Sequence, residues 1–323
     1  MMTPTLSSLS KFAVLALLLL TSCAKNDPVG PDDQPGDNTP FTEGTIEMGM
    51  YSHGIDLGYF IREIDFSRDD VSEQFLELAE NNGEAQEFLA LLQEYSASNP
   101  FAALGLMMNG VICTYYVKDD VVLGKARGFG YDFDNYHDVK NDEGKLFLRT
   151  LSQTDEIPAE DRELSVNYVP SVDLGVGSGG AIDASLYDRE VSSEKAVVAG
   201  YSCQVSTYTI KSQYIPEPDP ENPLPPTPIC YKLVVYTSDA FNETINFTHP
   251  FYLPEDAGIL KLEIFYDSGE EPTLVMQPDD ITPRTLTDAE LQIQVKDPVY
   301  NYNDTAVAWK MLAILFSGWG ALE

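Results

Sequence analysis

Positive charge is the first thing this 323-residue chain lacks: 19 Lys and Arg stand against 52 Asp and Glu. A polyanion of this kind is repelled by nucleic acid and by anionic head groups, so nucleic-acid binding is excluded as a function. Histidine is nearly absent as well. His53, His137 and His249 lie far apart and show none of the H-x-x-x-H spacing that a metal centre needs, and no metal or cofactor is expected. Cysteine is equally scarce. Beyond Cys23 there are only Cys113, Cys203 and Cys230, an odd number, which are read as small buried apolar residues rather than a disulfide framework. Long apolar runs are missing too. The longest near the N-terminus, Phe12 to Leu20, is far short of the roughly 20 residues that span a bilayer.

That short run has another meaning. Lys11 precedes it and small residues follow, the anatomy of an export signal. Leu20-Thr21-Ser22-Cys23 resembles the lipobox of bacterial lipoproteins, in which the cysteine thiol is acylated and becomes the first residue after cleavage. Residues 1–22 are therefore expected to be a lipoprotein signal peptide and Cys23 the lipidation site. Acyl chains contribute about 0.8 kcal/mol per buried CH₂, so two or more hold a protein on a bilayer. Residues 23–43 carry four prolines, two glycines and several aspartates, and read as a flexible tether. Loss of the signal would remove Lys11 alone among charges, leaving a net charge of −34 from 18 basic and 52 acidic residues. Ala24 and the acidic residues after it resemble the sorting signals of Bacteroides-type outer-membrane lipoproteins, which implies an outer-membrane, lipid-anchored location that is periplasmic or surface-exposed.

Residues 44–299 read as mainly antiparallel β. Runs such as "TIEMGMYSH", "YFIREIDF", "VICTYYVK", "VVLGKARGFGYDF", "KLFLRTL", "CQVSTYTI", "CYKLVVYT" and "AELQIQV" are rich in β-branched and aromatic residues and separated by turn residues. In "ILKLEIFY", apolar Leu260, Leu262 and Ile264 alternate with Lys261 and Glu263, a strand with one wet face. The expected fold class is α+β, mainly antiparallel β, as a curved or unclosed β-barrel covered by a helical insertion at 68–110. The Pro-rich stretch 213–228 cannot serve as a central strand and is expected to be a hairpin-tip loop.

Within the insertion, Ala85, Phe88, Leu89 and Leu92 fall at i, i+3, i+4 and i+7, an amphipathic helix. Either this helix is a layer closing one face of the sheet, or it is a lid over a greasy groove in which Phe88, Leu89, Leu92, Met107 and Met108 contact an apolar ligand. The C-terminal segment 300–323 is apolar nearly all round and reads as a buried helix plugging one end of the sheet, with a ligand- or membrane-contacting role as the alternative. Its Asp304-Thr305-Ala306 resembles a Bacteroides-type O-glycosylation acceptor at Thr305, although Thr305 would also suit a helix start.

Catalytic signatures dissolve on inspection. "GVGSGG" has G-x-G-x-x-G spacing but no βαβ context, and Ser178 lacks a nucleophile elbow. Asp132, Asp134, Asp138 and Glu143 occupy positions 1, 3, 7 and 12 of a calcium loop, yet His137 stands where the loop needs glycine. The chain is expected not to be an enzyme.

Five stretches taken in order, "GTIEMGMY", "YYVKDDVVLGKARG", "VVAGYSCQVSTYTI", "CYKLVVYTSDA" and "GILKLEIFYD", resemble the lipoprotein-carrier-like domains of the LolA and LppX superfamily. Gly200, Tyr201 and Cys203, Tyr236 to Asp239, and Gly258 to Leu262 carry the resemblance. It implies an unclosed antiparallel barrel wrapping a hydrophobic cavity, with helices as lid and acyl chains or another apolar molecule as ligand. A surface interaction or glycan-binding module without a small-molecule ligand is the alternative.

Overall fold

A computed structural model describes residues 38–98, 110–152, 157–173, 182–215, 230–248 and 255–318, together with Ala103, Leu106 and Leu253. The chain opens with strand β1 (Glu43–Ser52), the short β2 (Ile55–Asp56) and helices α1 (Leu57–Glu63), α2 (Val71–Asn81) and α3 (Gly83–Ser98). A meander follows: β3 (Ile112–Lys118), β4 (Val121–Gly128), β5 (Tyr131–Asp138), β6 (Glu143–Thr150) and β7 (Glu163–Tyr168). After the single turn of α4 (Pro170–Asp173) comes a second meander. It comprises β8 (Tyr187–Val198), β9 (Tyr201–Ile210), β10 (Lys232–Ser238), β11 (Gly258–Phe265) and β12 (Leu274–Pro283). Strand β13 (Val299–Asn301) and helix α5 (Thr305–Leu315) complete the described elements.

All thirteen strands form one unclosed sheet in the order β13-β7-β6-β5-β4-β3-β1-β12-β11-β10-β9-β8, with β2 attached to β1. Strand β1 is the hinge of the design. The first meander runs outward from it through β3, and the second ends on its other side through β12. Every pairing is antiparallel except β13 on β7. The turn between β8 and β9 places Ala199 and Gly200 at φ of 48° and 86°, the I′ geometry that matches strand twist.

Register decides which side chains share a face. Ile46 faces Tyr115, Met48 faces Cys113, Met50 faces Met276, and Leu262 lies between Met276 and Val235. All are buried, so one face of the sheet is apolar across its middle. Helices α1 to α3 cover it with Leu57, Phe60, Ile61, Phe75, Ala85 and Phe88. The Phe88 ring stacks at 4.9 Å on Phe60 and at 6.1 Å on Phe129, and Phe75 lies 6.1 Å from Phe129. The same face continues over β5 to β7, where Tyr131, Leu146, Leu148, Leu164 and Val166 pack against Val307 and Ile314 of α5. All these helices therefore lie on one side.

Several expectations are corrected here. "YFIREIDF" is not a strand, because Asp56 caps α1 by accepting from Gly58 N at 2.8 Å, and Leu57, Phe60 and Ile61 present a helical i, i+3, i+4 stripe to the core. "VVLGKARGFGYDF" is two strands, folded at Phe129-Gly130, where Gly130 has φ of 82° and its backbone meets that of Gly318. "AELQIQV" joins no ladder; it belongs to a strap running from 284 to 298. Helix α5 is not buried all round, for Trp309 is 71% exposed and Leu312 36%. Packing also begins earlier than residue 44: Phe41 is buried and stacked at 5.0 Å on Phe241. Strand β8 was illegible because it is an edge strand with almost no buried side chain. The Pro-rich stretch joins the paired strands β9 and β10, but residues 216–228 lie outside the described residues.

Cys113, Cys203 and Cys230 are free and buried, and burial pushes their thiols up to about 12, 11 and 12 respectively. They behave as small core residues.

Removing the central ring of the aromatic stack is expected to be costly. Urea unfolding of Phe88→Ala should show a loss of about 3–5 kcal/mol, whereas Leu76→Ala on the exposed side of α2 should change stability by about 0.5 kcal/mol or less.

Candidate functional site

The opposite face of the sheet is polar, and the strap crosses it. Its first anchor is Leu286, which is buried, donates N–H to Glu43 Oε1 at 2.8 Å and accepts from Lys118 Nζ at 3.3 Å. Its second is Lys296, whose N–H donates to Ser165 Oγ on β7 at 2.8 Å. Arg284 pairs with Glu290 at 2.7 Å across the first anchor. Leu123 of β4 points to this polar side yet is fully buried, which is the mark of the strap passing overhead.

Two grooves lie along the strap. The larger, about 680 Å³, is lined by Phe41, Lys118, Asp119, Asp120, Asp138, Lys140 and Asn242, with Leu291 from the strap. The smaller, about 350 Å³, is lined by Ile112, Lys125, Arg127, Asp132, Asp134, Phe147 and Arg149, with Gln294 from the strap. Both volumes fall in the range of small-ligand sites.

The smaller groove is built from two cross-strand rows. Register sets Arg127 of β4 opposite Asp132 of β5, and Asp132 opposite Arg149 of β6. One step along, Lys125 faces Asp134 and Asp134 faces Phe147. Residues directly opposed on one face lie close enough to interact, which is why these pairings fix the site. Arg127 Nε donates to Asp132 Oδ1 at 2.7 Å and Arg149 donates to Asp132 Oδ2. Both arginines are more than a third exposed, so each pair contributes about 1 kcal/mol or less to stability. Their firmer effect is to hold the guanidinium planes in place.

The two aspartates are driven apart electrostatically. Burial works to raise the Asp132 carboxyl, but hydrogen bonds from Arg127 and Arg149 outweigh it and hold the group below its usual range. Asp134 is raised, first by burial and further by Asp132, with Lys125 opposing. Phe147 is buried and forms an apolar part of the lining between them. Arg149 Nε is buried and has no hydrogen-bond partner among the described residues. The groove thus offers an ionised carboxylate, a second carboxylate, three cationic groups and an aromatic ring within one small space. Such a set recognises hydroxyl and carboxylate groups around an apolar ring face.

At the far end of the same strands, on the helix-covered face, His137 is 1% exposed and lies 3.2 Å from Tyr168 Oη through Nδ1. Tyr168 donates to Asn135 Oδ1 at 2.6 Å, and its ring fills the space above Gly144. Burial pushes the imidazole down to about 4, against the pull of Asp142 and Asp138.

The residues read from sequence as ligand contacts fall elsewhere. Phe88 is fully buried in the aromatic stack, and Leu89 and Leu92 are partly buried against the same core. Met107, Met108 and Cys23 lie outside the described residues, as do Gly175 to Gly180 and His249. Asp132, Asp134, Asp138 and Glu143 form no calcium loop, since the first three lie within β5 and Glu143 opens β6. Among the described residues no three His, Cys, Asp or Glu side chains converge to hold a metal. Thr305 is exposed at the start of α5, next to Asp304, which accepts from Ala306 N at 3.0 Å as the helix cap.

No protein-family model matches the chain, and no curated protein matches it. Among solved structures it is similar to PNGF-II, at 11% identity over 64% of this chain, with a TM-score of 0.29. The chain spans 31% of that protein's length. A likeness at this level carries no argument about fold or activity.

The buried His137 predicts a pH dependence. Its folded value lies below the ordinary imidazole value, so the unfolded chain takes up the proton first; its neutral form is fully accommodated above about pH 6.5, and stability falls as pH drops toward 4. The slope from this one group should approach about 1.4 kcal/mol per pH unit. Urea midpoints between pH 7 and 4.5 should show a weaker decline in His137→Phe than in the parent.

Proposed function

We propose that this protein is an envelope lipoprotein, acylated at Cys23, whose folded domain is a binding module for a hydroxyl-rich ligand of the glycan type. The groove formed by Arg127, Asp132, Asp134, Phe147 and Arg149 beneath the strap carries the reading. Sugars present rows of hydroxyls on one edge and an apolar ring face on another. Carboxylates accept from the hydroxyls, guanidinium groups donate to ring and hydroxyl oxygens, and the Phe147 ring supports the apolar face.

The resemblance to carrier domains suggests another occupant, an acyl chain on the helix-covered side of the sheet. There, however, Phe60, Phe88 and Phe129 already occupy the space between sheet and helices, and a ligand would have to displace them. A polar ligand on the other face needs no such displacement. Acylation would hold the module at the cell envelope, and the net charge of −34 would keep it soluble and well spaced from other acidic surfaces.

Two measurements test the reading. A form lacking residues 1–23 should bind a subset of a panel of purified bacterial and host polysaccharides in isothermal titration, and Asp134→Ala should weaken that binding about tenfold, equivalent to about 1.4 kcal/mol, with no change in melting temperature. Binding to none of them, or binding indifferent to Asp134, would remove the glycan reading. In the native host, palmitate should label the parent chain and not Cys23→Ser; label retained by the Ser variant would remove the anchor.

A further inference from the structure

The outward side of α5 is apolar. Trp309 is 71% exposed and Leu312 36%, and Ala308 and Ala313 are exposed beside them. Meanwhile Val307 and Ile314 point into the sheet. The only charged side chain between Thr305 and Leu315 is Lys310, and it is tied to Asp161. An apolar helix side of this kind, with an amphipathic indole at its centre, suits the boundary between water and lipid.

A second observation says what would meet it. The chain enters the fold at Phe41, and Glu43 pairs with Lys118 at one end of the sheet. Following the pairings outward, that end also carries Asp138, Tyr168 and Asn301, and α5 starts just beyond Asn301. The end of the sheet at which the described chain enters is thus the end from which α5 departs. Phe41 lies 18 positions after Cys23. At about 3 Å per residue the tether reaches some 50 Å at most. Helix α5, at about 1.5 Å per residue, is roughly 16 Å long. It therefore lies within reach of the bilayer that Cys23 would enter. The strongly negative chain is repelled by anionic lipid, so the surface it touches is neutral.

We propose that the exposed side of α5 rests on the neutral headgroup region of the bilayer that holds Cys23, giving the domain a second, reversible contact that orients it on the membrane. The proposal depends on acylation of Cys23. Trp309 and Trp319 are the chain's two tryptophans, so Trp319→Phe leaves Trp309 as the sole reporter.

The acylated full chain carrying Trp319→Phe is reconstituted into phosphatidylcholine vesicles, and the acyl groups on Cys23 are checked by mass spectrometry. The emission should shift to the blue, and brominated acyl chains should quench it, as for an indole at the headgroup level. Leu312→Asp in the same background, with unchanged circular dichroism and intact acylation, should restore the emission of an indole in water. Water-like emission in the parent on vesicles, with Cys23 acylated, overturns the second contact and leaves the anchor standing. Absence of acyl groups on Cys23 overturns both. A blue shift that appears without lipid and grows with protein concentration assigns this side to a second copy of the chain and overturns the proposal as well.

Discussion

A sheet of thirteen strands that does not close on itself must bury the middle of one face, and the stacked rings of Phe60, Phe88 and Phe129 are where this cover is locked to the sheet. Phe60 comes from α1, Phe88 from α3 and Phe129 from the turn between β4 and β5, so three separate stretches of chain depend on one another's position. Phe75 of α2 and Phe66 also approach Phe129, at 6.1 and 6.4 Å. Without this stack, the apolar residues of β1, β3, β11 and β12 would face water. The polar face opposite is free to carry a strap and two grooves only because the helices take the other side.

An open sheet also has two edges, and each is blunted. Strand β13 is three residues long. Strand β8 is longer but carries Asp188, Arg189, Glu190, Glu194 and Lys195, and its pairing with β9 slips between Val191 and Lys195. Charge and a bulge on an edge discourage pairing with another chain. The edge is further tied inward by Glu255, which is buried and accepts from Arg189 Nη2 at 2.9 Å and from the Tyr208 hydroxyl. A carboxylate buried away from water needs such hydrogen-bond partners, and through them it joins β8 and β9 to the segment preceding β11.

The candidate site illustrates why polar function hides in sequence. Asp132 and Asp134 were visible in sequence only as the first and third positions of an imperfect calcium loop. Their partners were not visible. Arg127 lies five residues before Asp132 and Arg149 seventeen after it, and only the registers of the β4–β5 and β5–β6 hairpins make them neighbours. A shift of either register by one residue would turn a row to the other face and dissolve the groove. The strap was misread for a related reason: Leu291, Ile293 and Val295 alternate as in a strand, but the chain there lies across the sheet rather than within it.

Local chemistry along the chain was enough to establish the antiparallel β class, the amphipathic helix of α3 with its Ala85-Phe88 stripe and the apolar character of the cysteines. These depend on side-chain period and turn residues, which neighbours in sequence determine. Tertiary structure alone decided that "YFIREIDF" is helical, that Phe88 belongs to a filled core, that α5 shows one apolar side to solvent, and that Arg127, Asp132 and Arg149 meet. Each of those outcomes depends on which distant segment lies opposite, and burial by a distant segment is a free energy that no local window of residues contains.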